Sequence, residues 1–193
     1  RVLKFHSRSL NSPSRGIRIW EVATGALIDP QHDWVHQDHP CCWLPDNTLL
    51  IDVGAAVVHV NLAGHTFRHF ATGHEHFEPD CGGVVGIAAI DYCPSKNLVV
   101  TGGYDATVRI FDFKDAKALA KTSLEDVPQE PRFLGEYILV GGSSSSVQVL
   151  DTDGSAFNSL PYRLHAAQLS GDRAVFEDGD DLVVLNASLT ETH

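Results

Sequence analysis

Apolar and polar residues alternate in five short segments of this chain, and the five resemble one another. They read IRIWE (Ile17 to Glu21), VVHVN (Val57 to Asn61), VRIFD (Val108 to Asp112), VQVLD (Val147 to Asp151) and LVVLN (Leu182 to Asn186). Alternation over four or five residues is the pattern of a strand with one face turned inward. Each segment carries an aromatic or aliphatic residue at its fourth place and an acid or its amide at its fifth. The fourth places, Trp20, Val60, Phe111, Leu150 and Leu185, are successively 40, 51, 39 and 35 residues apart. Short strands recurring at such a period predict a repeat architecture, and ~40–45 residues is the length of one propeller blade.

The unit around Val108 is the clearest. GVVGIAAIDYCP (Gly83 to Pro94) is an apolar run that predicts a first strand buried on both faces, near a central axis. PSKN supplies a tight turn. NLVVTGG (Asn97 to Gly103) is a second strand, TVRIFDF a third, and ALAKT, after the turn KDAK, a short outer strand. Four strands in sequence make one antiparallel meander, which is what a blade is. The same order repeats from Pro40 to Phe70 and from Glu130 to Leu160. The last unit, from His165, stops at its third strand, and the first begins at its second. The expected fold is therefore all-β: a single propeller domain over residues 1–193, with approximate blades 1–30, 40–70, 83–122, 130–160 and 164–193, three whole and two partial. Because the outer units are partial, we expect an open arc, or a ring completed by another segment or chain; an unpaired edge strand invites pairing.

The stretch from Gly73 to Phe113 resembles a WD repeat, and IRIWEVATGALI resembles the end of another. In that family a Gly-His pair, a Ser or Thr in the second strand, an Asp in the following turn and a Trp in the third strand form a hydrogen-bonded set. The matching residues here are Gly73, His74, Thr101 and Asp105. The Trp place holds Phe111, which has no N–H to donate. The resemblance thus implies a structural set of His74, Thr101 and Asp105, a ring of about seven blades, and a role as a platform within protein complexes.

Composition narrows the functions. The net charge of -11 argues against direct binding of a nucleic-acid backbone, which needs a basic footprint. No stretch approaches the ~20 apolar residues of a membrane span, so no membrane partner is expected. The four cysteines, Cys41, Cys42, Cys81 and Cys93, lack the spacing of a disulfide framework and suggest a reduced, intracellular protein, cytoplasmic or nuclear. With no methionine in the chain, a processed product or a fragment is expected.

Several patterns invite chemistry. Eight histidines, among them His32, His36, His39, His59, His65, His69, His74 and His76, fall within 45 residues. A zinc site needs about four ligands at defined spacing, and turn or outer-strand positions explain these better, so no metal is expected. Asp151-Thr152-Asp153-Gly154 starts like a calcium loop and lacks the later acid. Gly141 to Ser146 is followed by a strand, not the helix and Lys of a phosphate cradle. No Gly-x-Ser-x-Gly elbow is present, and the sequon Asn186-Ala187-Ser188 matters only in a secreted protein. Neither catalytic residues nor a cofactor are expected.

Connection lengths point elsewhere. First-to-second and third-to-fourth strand turns are short, while the long connections include Arg8 to Gly16, Asp29 to His39, Ala71 to Gly82 and Leu124 to Pro131. In a meander these long connections share one end of the blades. Loops on a rigid scaffold commonly carry binding groups, and aromatics are common anchors. We therefore expect a non-catalytic interaction scaffold or adaptor subunit, binding other proteins, preferably ones that present a basic surface. The expected contact residues are Trp34, His36, His76, Phe77, Asp126 and Glu130. The alternatives are small-molecule binding or catalysis in an axial channel, and an RNA-contacting subunit of a larger particle.

Overall fold

The computed structural model describes residues 2–5, 17–20, 23–28, 41–53, 55–61, 66–74, 86–128, 130–141, 146–170, 173–178 and 181–190. Within them lie five antiparallel sheets, each pairing its strands in chain order. The first holds β1 (Val2–Phe5), β2 (Ile17–Trp20) and β3 (Leu27–Ile28). The second holds β4 (Cys41–Trp43), β5 (Leu49–Asp52), β6 (Ala56–Val60) and β7 (Thr66–Ala71). The third holds β8 (Ile87–Cys93), β9 (Leu98–Gly103), β10 (Thr107–Asp112) and β11 (Lys117–Ser123). The fourth holds β12 (Glu130–Leu134), β13 (Tyr137–Gly141), β14 (Val147–Asp151) and β15 (Ala156–Leu160). The fifth holds β16 (Arg163–Ser170), β17 (Arg173–Asp178) and β18 (Asp181–Asn186).

Turn chemistry sets the strand ends. Asn47 and Asn97 take positive φ in the first-to-second turns of the second and third sheets, a conformation Asn tolerates better than most residues. Gly135 does so in the fourth sheet, at φ 58, where an added Cβ would also meet Ala187 at 2.8 Å. A bulge recurs at one place in all three four-stranded sheets, between the third and fourth residues of the repeated segment: His59/Val60, Ile110/Phe111 and Val149/Leu150.

The alternation has a directional meaning. Val108 and Ile110, at first and third place, pack with Phe133, Ile138, Val140 and Leu150 of the following sheet. Phe111, at fourth place, packs backward with Leu50, Val57 and Phe70. Val147 and Val149 likewise meet Phe176 and Leu185 of the fifth sheet. First and third places thus face the next sheet, and the fourth place faces the previous one. The outer strands β11 and β15 are largely exposed, as their polar residues require.

The run expected as a buried first strand is β8, most of whose residues are buried; β4 is half-buried throughout, and every residue of β9 and β5 is buried. A second strand has a neighbour on both edges as well as sheets on both faces. A first strand is itself a sheet edge, and β8 lies beside the first strands β4 and β12 of the neighbouring sheets.

Candidate functional site

The densest polar cluster joins two sheets around His74, just beyond the end of β7. Its Nδ1 lies 2.9 Å from Asp105 Oδ1, and its Nε2 lies 2.8 Å from Thr101 Oγ1. A carboxylate only accepts, so Nδ1 carries the proton and Nε2 accepts the Thr101 hydroxyl. Burial pushes the His74 pKa down, against the opposing pull of Asp105, consistent with a neutral ring. The Thr107 hydroxyl donates to Asp105 Oδ1 at 2.7 Å, and Arg109 Nη2 donates to Oδ2 at 3.2 Å. Arg109 Nη1 also donates to the Thr72 carbonyl at 3.0 Å, tying β10 to the chain that leaves β7. Room for the imidazole comes from Gly103: a Cβ there would sit 2.1 Å from His74 Nδ1. The structure thus brings His74, Thr101 and Asp105 together and adds Thr107 and Arg109. Sequence reading passed over both additions as ordinary strand residues; Gly102-Gly103 beside Thr101 was the available hint.

A second cluster lies within the first strands of three sheets. Cys42, Asp91 and Arg132 stand at the same rung of three consecutive first strands, opposite Leu50, Val100 and Leu139. Asp91 Oδ2 accepts the Phe133 N–H at 2.8 Å, while Oδ1 lies 3.9 Å from both Arg132 Nη1 and Cys42 Sγ. Burial holds the Cys41 and Cys42 thiols up at about 12. They stay protonated at neutral pH and are poor nucleophiles. Burial also raises the Asp91 pKa, opposed by the Phe133 N–H and Arg132. The folded state therefore holds this proton more tightly than the unfolded chain. The resulting stability is lost as pH rises from about 3.8 through the folded value. Asp91→Asn keeps the acceptor and removes the titration. Its stability relative to the parent should therefore increase between pH 4 and pH 7.5 in urea unfolding. An unchanged difference would show that Asp91 does not titrate anomalously.

Of the expected contact residues, Trp34, His36, His76 and Phe77 lie outside the described residues. Asp126 and Glu130 lie inside. Asp126 lines a cleft of about 60 Å³ with Glu125, Gly141, Ser146 and Gln148, between the connection after β11 and the strands β13 and β14. Glu130 opens β12 opposite Gly141, and among the described residues no hydrogen-bond partner reaches its Oε2. Asp126 thus lines the cleft while Glu130 does not, and neither is part of the His74 cluster. Among the described residues no group of three or more His, Cys, Asp or Glu is arranged to hold a metal ion. No described helix is long and apolar enough to cross a membrane.

The ladder of stacked meanders can be set beside known structures. The crystal structure of BamB from Moraxella catarrhalis, an eight-bladed β-propeller protein, superposes with a TM-score of 0.59 at 11% identity. The fold is β-propeller-like. The superposition covers 82% of this chain and 49% of BamB, so the chain spans about half that protein's length. No family model matches the sequence, and neither does any curated protein. One expectation is corrected. BamB is periplasmic and associated with the outer membrane, so a ladder of this kind does not mark a cytoplasmic or nuclear protein. The intracellular placement inferred from unpatterned cysteines is withdrawn.

Proposed function

We propose that the chain is a WD-type propeller segment, with blades near 1–30, 40–70, 83–122, 130–160 and 164–193. In this reading it serves as a non-catalytic interaction scaffold or adaptor. Its binding end carries the long connections, with Trp34, His36, His76, Phe77, Asp126 and Glu130 as contact residues. The observation that carries this reading is a contrast between polar groups. The imidazole of His74 has both nitrogens engaged and is sealed from solvent, so it can neither accept a proton from a substrate nor bind a metal. The acids after β11 instead line an open cleft.

His74, Thr101 and Asp105 fix the start of the connection that carries His76 and Phe77, which places a long loop on a rigid base. A partner with a basic surface would meet the acids at this end, and such complementarity speeds encounter. BamB, a non-catalytic interaction scaffold of similar fold, supports the general adaptor role. The test is affinity capture with quantitative mass spectrometry, using the parent and an Asp126→Lys, Glu130→Lys variant. Selective loss of captured proteins in the folded variant is expected. An unchanged set, or turnover of a small substrate, would reject the reading.

A further inference from the structure

The seam between the second and third sheets buries two histidines, one toward each end. Its centre is apolar, built from Leu50, Val57, Phe70, Val99 and Phe111. His59 on β6 is 8% exposed, and His74 beyond β7 is 3% exposed. His59 lies toward the turn that holds Asp46 and Thr48. The Thr48 hydroxyl donates to Asp46 Oδ1 at 2.6 Å, so its oxygen accepts from His59 Nε2, also at 2.6 Å. The neutral ring therefore carries its proton on Nε2. The same ring packs edge-on against Phe113, which follows β10 in the third sheet, with centroids 5.0 Å apart. Arg68, opposite His59 on β7, donates to the Phe113 carbonyl. At the other end, the His74 ring joins the second sheet's chain to Thr101 and Asp105 of the third. Among the described residues no other histidine is buried. The seam between the third and fourth sheets has an apolar core and holds Asp91 instead.

We infer that this seam is an acid-sensitive joint: proton uptake by His59 and His74 loosens the second sheet from the third, while the third and fourth stay together. The groups around each ring set the direction. Burial, and after it Arg68, hold the His59 pKa below its ordinary 6.5, against the pull of Asp46. At His74 burial outweighs Asp105, and Arg109 and Lys121 add repulsion. Once the sheets part, a charged ring meets water, so the open state takes up these protons first. The seam is fully held above about pH 6.5 and weakens as pH falls through the folded values. His74 also loses an acceptor, because a protonated Nε2 cannot receive the Thr101 hydroxyl. Asp91 responds in the opposite sense. Burial raises its pKa, so acid relieves a buried charge at the third-to-fourth seam.

The experiment is hydrogen exchange with mass spectrometry on the 193-residue chain at pH 7.5 and pH 5, with rates referred to unstructured peptides of the same sequence. A sheet that loses its covering face opens as a unit. Protection in β5, β6 and β7 should fall about tenfold or more at pH 5, since each proton gained on opening raises the opening constant by up to about tenfold per pH unit. Protection in β13 and β14 should be retained. A variant carrying both His59→Gln and His74→Gln cannot take up either proton, and its protection in β5 to β7 should be the same at the two pH values. Should that variant fail to fold, the regional pattern of the parent chain decides alone. Equal protection of β5 to β7 at both pH values would overturn the inference. So would a loss spread evenly over all sheets, or an acid-induced loss that the folded double variant keeps in full.

Discussion

Truncation of Phe111 to alanine should destabilise the protein by about 3–5 kcal/mol, the range for removing a buried aromatic ring and leaving part of its cavity. Phe111 is 1% exposed and stands at the junction of the second and third sheets. Its ring meets Phe70 edge-on, with centroids 6.4 Å apart, the geometry in which the ring quadrupoles attract. Leu50, Val57 and Val99 close the rest of the site. Because both sheets line this space, neither can collapse into the gap without moving against the other. Equilibrium urea unfolding measures the effect directly. Phe111→Leu, which keeps most of the volume, should lose much less. A loss below about 1 kcal/mol for the alanine variant would mean that the two sheets do not share a tight core.

Asp105→Ala should rank next, at about 1–3 kcal/mol, the penalty for leaving buried donors without their acceptor. The His74 Nδ1–H, the Thr107 N–H and hydroxyl and the Arg109 guanidinium converge on this carboxylate. Asp105→Asn retains an acceptor oxygen and should fall between parent and alanine. The pH dependence provides a second check. The His74 pKa is depressed in the folded state, so the unfolded chain takes up this proton first on acidification. The stability held by neutral His74 is fully present above about pH 6.5 and is lost as pH falls through the folded value. His74→Gln should flatten that part of the stability profile. A parent profile flat from pH 7 to pH 5 would contradict a buried neutral imidazole.

How far the sequence disclosed all this varies with the physical signal. The strand ladder was legible because first, third and fourth places each bury a side chain, which writes a period into the sequence. His74, Thr101 and Asp105 were reachable only through the resemblance to a WD repeat, whose pattern places these residue types at these positions. Arg109 escaped notice since its alternation is that of any solvent-facing strand residue; only the fold brings the Thr72 carbonyl and Asp105 to it. Asp91 was overlooked for the opposite reason. One acid within IAAIDYC hardly disturbs an apolar run, and its partners lie on other strands, 42 residues on for Phe133 and 49 residues back for Cys42.

The scaffold reading turns on which end of the sheets a partner touches. Hydrogen exchange of the chain, alone and bound to a partner recovered by capture, resolves this segment by segment. Binding should slow exchange at 124–130 and in the connections 29–39 and 71–82. It should leave the opposite turns, 94–97, 113–116, 135–136 and 152–155, unchanged. Protection confined to those opposite turns or to the outer strands β11 and β15 would contradict the account.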